Sequence, residues 1–206
     1  LRKLSAIEAL SRYPDGLSQG WLDSLDLAPT LWPTSAVIDF IDILRRFEAF
    51  PERDARLAEA LGILRTRLNF QGTTMTFSTA DSDALWWLMV SGDVNANRAL
   101  LSVLERDDWS DDVPRLVTGS LGRQQRGHWD TTTANAWGTL ALRRFSEKFE
   151  STPVAGTTRA DLGNATYTAD WQAPDAPTTH EFAWPAAPAT LAVTHAGGGA
   201  PWLSVQ

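Results

Sequence analysis

The chain predicts a mostly α-helical body over residues 1–150, then a linker and a short β-strand segment over 151–206. Three observations carry that prediction. Apolar residues recur at i, i+3, i+4 spacing through most of the first part, the rhythm of helices with one buried face. After Glu150 the texture changes to Pro-, Gly- and Thr-rich sequence with short alternating runs, the pattern of strands and turns. Finally, Ser35-Ala36 followed by Leu44-Arg45-Arg46-Phe47 is matched ninety-eight residues later by Thr133-Ala134 followed by Leu142-Arg143-Arg144-Phe145. With a helix expected from Asp81 near the midpoint, the implied period is about 49 residues, which fits helical hairpins in an array or closed ring. The expected architecture is a partial α/α-toroid.

Helices are expected at 2–12, 33–47, 52–68, 81–91, 95–106, 112–125 and 132–149. The second has Pro33 in its first turn, Thr34 or Ser35 near its start, and Val37, Ile38, Ile41, Leu44 and Phe47 on its apolar face. Leu57, Leu61, Leu64 and Leu68 form the stripe of the third, which ends near Asn69. In the fourth, Leu85, Trp86, Leu88 and Met89 leave almost no polar face, so it reads as the interior helix. Residues 151–158 read as a linker, and strands are expected at 165–169, 181–184, 190–194 and 202–205. Four short strands make a poor sandwich alone.

Composition narrows the function. A hydrophobic content of 43% and ten tryptophans belong to a folded chain. The net charge of −7 argues against a nucleic-acid partner, because phosphate binding needs a basic surface. No apolar run approaches the roughly 18 residues of a membrane span, so no membrane contact is expected from this segment. The absence of cysteine excludes disulfides, thiolate metal sites and a cysteine nucleophile. Residues 1–8 read as helix rather than as a signal peptide, and Leu1 stands where neither an initiator methionine nor a helix cap precedes it. The expectation is a slice of a longer chain.

The most informative stretch is 123–138, Arg-Gln-Gln-Arg-Gly-His-Trp-Asp-Thr-Thr-Thr-Ala-Asn-Ala-Trp-Gly. It reads as a helix closed by Gly127 in the left-handed conformation, a tight loop, and a second helix capped by Asp130 or one of Thr131, Thr132 and Thr133. Trp129 and Trp137 bracket that start and pin the loop.

Other motifs are weaker. Asp107, Asp108 and Asp111 spell DDxxD, a magnesium–diphosphate signature that needs carboxylates on consecutive turns of one helix facing a cavity. Ser110 and Pro114 suggest instead a loop entering a helix near Asp112, where acidic residues suit the helix dipole. Asp93-Val94-Asn95-Ala96-Asn97 opens like a calcium loop, but Arg98 and Leu104 occupy the positions needing glycine and glutamate. Gly92 closing one helix, with Asp93 or Asn95 capping the next, is the simpler account. His128, His180 and His195 lack metal-ligand spacing, and no GxSxG, HExxH or P-loop occurs. No cofactor is implied. A glycosidase-type carboxylate pair is set by distance in space, so spacing along the chain neither selects nor removes one. Trp21, Trp32, Trp86, Trp87, Trp109, Trp129 and Trp137 could line a sugar groove, yet most fall in apolar periodic segments, where core packing is the commoner role.

Three elements together carry a resemblance: Leu31-Trp32-Pro33-Thr34-Ser35-Ala36-Val37, Ser91-Gly92-Asp93-Val94-Asn95-Ala96, and the Gly-x-Trp-Asp-x-Thr-x-x-Asn-Ala-Trp-Gly block built on Gly127, Trp129, Asp130, Thr132, Asn135 and Trp137. In order and spacing they resemble the closing part of the thioester-type helical domain of bacterial alpha-2-macroglobulins. The resemblance spans most of residues 1–150, and the tail resembles the β-segment that completes a split CUB-like sandwich. Members of this family are protease traps: cleavage of a bait region triggers rearrangement and the protease is caged. Many also bond to it through a Cys-Gly-Glu-Gln thioester near the start of the helical domain, a motif this chain does not contain. No catalytic residue transfers; the matched residues read as architectural.

The resemblance therefore implies a non-enzymatic segment of a broad-spectrum protease inhibitor. Its partners would be proteases, through the full-length parent, and other domains of that parent. Its location would be periplasmic, with or without a lipid anchor at the parent's N-terminus. Two other classes compete. An α/α-toroid enzyme acting on an isoprenoid or polysaccharide requires Asp107, Asp108 and Asp111 to converge on a deep cavity. A carbohydrate-binding module requires at least two coplanar exposed tryptophans.

Overall fold

A computed structural model describes residues 2–13, 17–22, 24, 28–78, 85–173, 179–203 and 205. The chain is helix-rich with small antiparallel sheets. Its helices are α1 (Arg2–Leu10), α2 (Gln19–Leu22), α3 (Thr34–Arg46), α4 (Arg53–Thr66), α5 (Gly92–Val103), α6 (Val113–Leu121) and α7 (Thr132–Phe149). Its strands are β1 (Leu68–Gln71), β2 (Thr74–Phe77), β3 (Thr157–Leu162), β4 (Ala165–Asp170) and β5 (Leu191–Ala196). The chain divides into two compact units, 1–144 and 145–206, so the C-terminal end of α7 belongs to the second.

In the first unit α3 and α5 are the interior helices. All of 34–44 is buried, including Asp39 and Asp42, and every residue of α5 except Leu101 is buried. The outer helix α4 buries only its predicted stripe, Leu57, Leu61 and Leu64, together with Ala60. Because α5 has no solvent face, each of its polar groups must find a protein partner or lose its hydration uncompensated. Those partners bolt α5 to its neighbours. Asn97 donates to the Ala134 carbonyl at 3.1 Å and accepts from Ser120 Oγ, joining α7 and α6. Arg98 pairs with Asp39 at 2.6 Å and Asp42 at 3.5 Å, and Ser102 donates to Asp42 at 2.8 Å, joining α3.

The ionic cluster extends to α1. Ser5 donates to Asp39, and Glu8 accepts from both Arg12 and Arg46. Burial pushes the Glu8 carboxyl up, but the Arg12 and Arg46 hydrogen bonds and the Arg98 charge outweigh it, leaving its pKa below the ordinary value. For Asp42 burial dominates and the pKa is raised, although Arg98 and Ser102 oppose the shift.

Several expectations are corrected. Residues 81–84 of the helix expected at 81–91 lie outside the described residues, and 85–90 are not helical in the expected sense. Leu85 and Val90 pair across a short loop containing a 3₁₀ turn over Trp86–Leu88, with Met89 at φ 57°. The interior positions belong to α3 and α5, and the apolar pattern did not single out α5 because Asp93, Asn95, Asn97, Arg98 and Ser102 are buried with its apolar residues. The 52–68 helix stops at Thr66, and β1 and β2 form an unanticipated hairpin around Gly72 at φ 59°. Gly119 lets β2 lie directly on α6: a Cβ there would sit 2.0 Å from the Met75 carbonyl oxygen.

In the second unit the sheet order is β4-β3-β5, antiparallel throughout. The strands expected at 165–169 and 190–194 are present as β4 and β5. The central strand, β3, starts in the last residues of the stretch read as linker and continues beyond it. Residues 181–184 form no strand, nor do 202, 203 and 205. Pro185, which has no amide to donate to a ladder, follows the first of these directly. Trp202 is instead held by its side chain: its indole donates to Glu150 at 2.6 Å, and its ring lies 5.4 Å from that of Phe145. Thr158, His195 and Trp171 join the three strands' ends, Trp171 Nε1 donating to Thr158 Oγ1 at 2.7 Å while that oxygen lies 2.9 Å from His195 Nδ1.

Candidate functional site: the joint between α5, α6 and α7

The 123–138 block folds as a hydrogen-bonded joint. The helix before it ends at Leu121, four residues earlier than expected, and Gly127 does not close it. Gln125 and His128 instead exchange backbone hydrogen bonds of 2.9 and 3.2 Å across Arg126 at φ 55° and Gly127 at φ 82°. Two consecutive positive φ values make this a type I′ hairpin turn. Arg126 is strained there, whereas Gly127 carries no steric penalty.

The start of α7 is capped by Thr131, whose Oγ1 accepts from the Ala134 amide at 3.1 Å. Asp130 has another role. Its amide donates to Asp93 at 2.9 Å, and its carboxylate accepts from Ser91 Oγ at 3.1 Å. Ser91, rather than Asp93 or Asn95, caps α5, accepting from the Val94 amide at 3.2 Å, and Gly92 is the first residue of that helix. Asn135 reaches back to the loop: its Oδ1 accepts from the Trp129 amide, and its Nδ2 donates to the carbonyls of Trp129 and Thr131. Thr132 is exposed on the first turn of α7.

Trp129 is the hub. Only 4% exposed, it packs on Val94 and Ala134 and donates from its indole to the Ser120 carbonyl at 2.9 Å. Gly138 supplies the space, since a Cβ there would lie 2.3 Å from Trp129 Cζ3. Trp137 is half-buried, with the guanidinium carbons of Arg12 and Arg98 each 5.4 Å from its ring centre. It thus belongs to the ionic cluster as well as to the joint.

Beside the joint lies a groove of about 430 Å³ lined by Asp93, Gly122, Arg123, Gln125, His128 and Asp130. Several of its polar groups are already engaged. Asp93, buried, takes Arg123 on one oxygen and the Asp130 amide on the other. His128 Nδ1 lies 2.9 Å from the Trp129 carbonyl; a carbonyl only accepts, so Nδ1 carries the proton. Among the described residues no group of three or more His, Cys, Asp or Glu side chains could hold a metal ion.

The acidic run behaves as a helix approach. Asp107–Trp109 is a single 3₁₀ turn, and Asp107, Asp108 and Asp111 are exposed. Asp108 is bound by Arg106 at 2.9 and 3.1 Å; Asp112 takes Arg65 at 2.9 Å and Arg115 at 3.4 Å. The turn wraps around buried Trp109, over which Arg65 lies 4.3 Å from the ring centre. Neither the groove at the joint nor a second one, lined by Pro29, Phe40, Glu52, Ala55, Arg56 and Glu59, includes any of these aspartates. They do not occupy consecutive turns of one helix, the arrangement a diphosphate–metal site requires.

Of the tryptophans, Trp109 and Trp129 are core, Trp32 and Trp137 half-buried, and Trp21 and Trp87 exposed; the side chain of Trp86 lies outside the described residues. Ser120 was missed by sequence reasoning, and Arg123, Asn97 and Gly138 stood inside quoted motifs without the roles they have here. A Gly inside a helical pattern near a conspicuous Trp is a signal of close packing; the other three carry none along the chain.

No family model, curated protein or solved structure matches the chain.

Proposed function

We propose that this chain is a non-catalytic segment of a bacterial alpha-2-macroglobulin-type protease trap, the helical body that relocates as a unit after bait cleavage, followed by part of a β-sandwich. One observation carries the reading. Two of the sequence elements behind the resemblance, 91–96 and 127–138, fold into a single joint through Ser91–Asp130, Asp93–Asp130 and Val94–Trp129. Residues held in mutual capping and packing are the kind a moving rigid body needs. The α/α-toroid part of the proposal is supported by the inner position of α3 and α5, with α4 and α6 following them in sequence as partners of two helical hairpins. It is also supported by the equivalent starts of α3 at Thr34 and α7 at Thr132, which preserve the ninety-eight-residue spacing. The finer period of about 49 residues has no such support, since 85–90 forms a loop.

The test uses the intact parent and this chain side by side. Incubated with a proteinase, the parent should abolish cleavage of protein substrates while sparing cleavage of small peptides, because a caged enzyme keeps its active site. The chain alone should leave both cleavages unchanged. Stoichiometric inhibition by the 206 residues on their own, or a parent that leaves protein-substrate cleavage untouched, would overturn the proposal.

A further inference from the structure

The chain has two methionines and no cysteine, so its thioethers are the softest nucleophiles it offers an oxidant. The fold treats the two differently. Met75 is half-buried on β2, with its backbone laid on α6. Met89 is 71% exposed, at φ 57° in the loop 85–90, two residues before the Ser91 cap of α5. Methionine is ordinarily a buried, gap-filling side chain. Here the Leu85–Val90 pairing closes the loop and leaves the Met89 thioether open to small solutes.

A hydroxyl stands beside that sulfur. Thr133, in the first turn of α7, donates from Oγ1 to Met89 Sδ at 4.0 Å, a long contact to a weak acceptor. The cap of α7 is made by Thr131, so the Thr133 hydroxyl is not tied to the helix start. Oxidation turns the thioether into a polar sulfoxide, whose oxygen is a far better acceptor and projects beyond the sulfur. The three rotatable bonds of the side chain let that oxygen swing to the hydroxyl.

We infer that Met89 is a peroxide-sensitive modification site whose sulfoxide is held by Thr133, fastening the loop 85–90 to the start of α7. A lone pair of Sδ attacks one oxygen of hydrogen peroxide, and the O–O bond breaks as the S–O bond forms. Sulfur gives two electrons to the peroxide. The departing hydroxide takes the proton from the transferred oxygen and leaves as water. Methionine oxidation commonly disrupts a protein, because an apolar side chain in a core becomes polar. At Met89 the direction reverses: the side chain is largely exposed, so little packing is lost, and the long contact to Thr133 becomes a full hydrogen bond.

Dilute hydrogen peroxide on the folded chain, followed by peptide mass spectrometry and thermal melting, tests this. Met89 should convert to the sulfoxide at least tenfold faster than Met75. The singly oxidised chain should melt higher than the reduced one by about 2–4 °C, the shift one added hydrogen bond gives a body of this size. Methionine sulfoxide reductases should return the original melting temperature. Thr133→Val keeps the β-branched shape and removes the hydroxyl, so its oxidised form should melt no higher than its reduced form. Met89→Leu should show no upward shift with peroxide at all. Equal oxidation rates at the two methionines overturn the proposal. So does an oxidised chain that melts at or below the reduced one, or a gain that survives in either variant.

Discussion

Replacing Gly138 by alanine sets two effects against each other at a site where the geometry decides the outcome. Alanine in a helix interior is favoured over glycine by up to about 1 kcal/mol through backbone entropy. At Gly138, however, the new Cβ would lie 2.3, 2.5 and 2.6 Å from three ring carbons of Trp129. No carbon pair tolerates that separation, and the ring cannot yield easily. It is buried, its indole is hydrogen-bonded to Ser120, and its backbone is held at both ends by Asn135. Overpacking of this kind costs about 1–3 kcal/mol. Loss of the indole hydrogen bond as the ring shifts adds about 1 kcal/mol. After subtracting the helix gain, Gly138→Ala should destabilise the first unit by about 1–3 kcal/mol. Gly62→Ala in α4 is the matched control, because nothing lies within 4 Å of where its new methyl group would stand, and only the entropic gain of about 0.5–1 kcal/mol should remain. Urea denaturation followed by far-UV circular dichroism reads both. A Gly138→Ala protein as stable as its parent, or changes of equal sign at the two sites, would refute the argument that Trp129 packing fixes residue 138 as glycine.

Four further outcomes are expected. Thr131→Ala removes the α7 cap and should cost about 1 kcal/mol, whereas Thr132→Ala, which removes no observed cap, should cost far less in the same denaturation assay. Arg98→Met leaves Asp39 buried without its cation and Asp42 with only Arg45, 3.8 Å away, and should cost about 3–5 kcal/mol. Glu8 and Asp42 should show opposite pH slopes. The depressed Glu8 pKa contributes stability above its unfolded value and loses it as pH falls through the folded pKa, so the penalty of Glu8→Gln should be largest near neutrality and shrink in acid. The raised Asp42 pKa contributes stability that is present in acid and lost as pH rises through the folded pKa, so the penalty of Asp42→Asn should be larger in acid than at neutrality. In the second unit, Gly197 has φ 154° and a Cβ would meet the Ala155 carbonyl oxygen at 1.8 Å. Gly197→Ala should therefore cost about 1–3 kcal/mol by thermal melting, while Gly198→Ala, with no neighbour closer than 3.8 Å, should be near neutral.

The helices were legible where burial is one-sided. The α4 stripe of Leu57, Leu61 and Leu64 is visible because its other face is polar and exposed, so periodicity and packing agree. Leu85-Trp86-Trp87-Leu88-Met89 misleads for the opposite reason. An apolar cluster of five residues has the same composition whether it packs as a helix or turns back as a loop, and here Leu85 pairs with Val90. β3 was hidden because Thr157, Thr158, Arg159 and Asp161 are polar. A central strand of a small one-layer sheet needs only one apolar face, which Ala160 and Leu162 supply weakly.

The joint was legible in its residues and illegible in its connections. Positive φ at Gly127, burial of Trp129 and capping by the threonine run follow from local chemistry, because turns and caps act within four residues. The turn type did not follow, since Arg126-Gly127 lacks the Asn-Gly signature of an I′ hairpin although it adopts the same backbone. What no window along the chain displays is the role of α5. Asp93, Asn97, Arg98 and Ser102 look like the polar face of a surface helix, and periodicity alone would turn them to solvent. They are buried because each meets a complementary group 23 to 60 residues away in sequence, from Ser120 and Arg123 on one side to Asp39 and Asp42 on the other. Apolar faces would let α5 slide or rotate against α3, α6 and α7 at little cost, whereas a displaced Arg98 or Asn97 leaves its partner unpaired. The polar bolts therefore fix one register for the interior helix, and Asp93 carries that register into the 123–138 joint. Those few contacts are what hold α3, α5, α6 and the start of α7 in one arrangement.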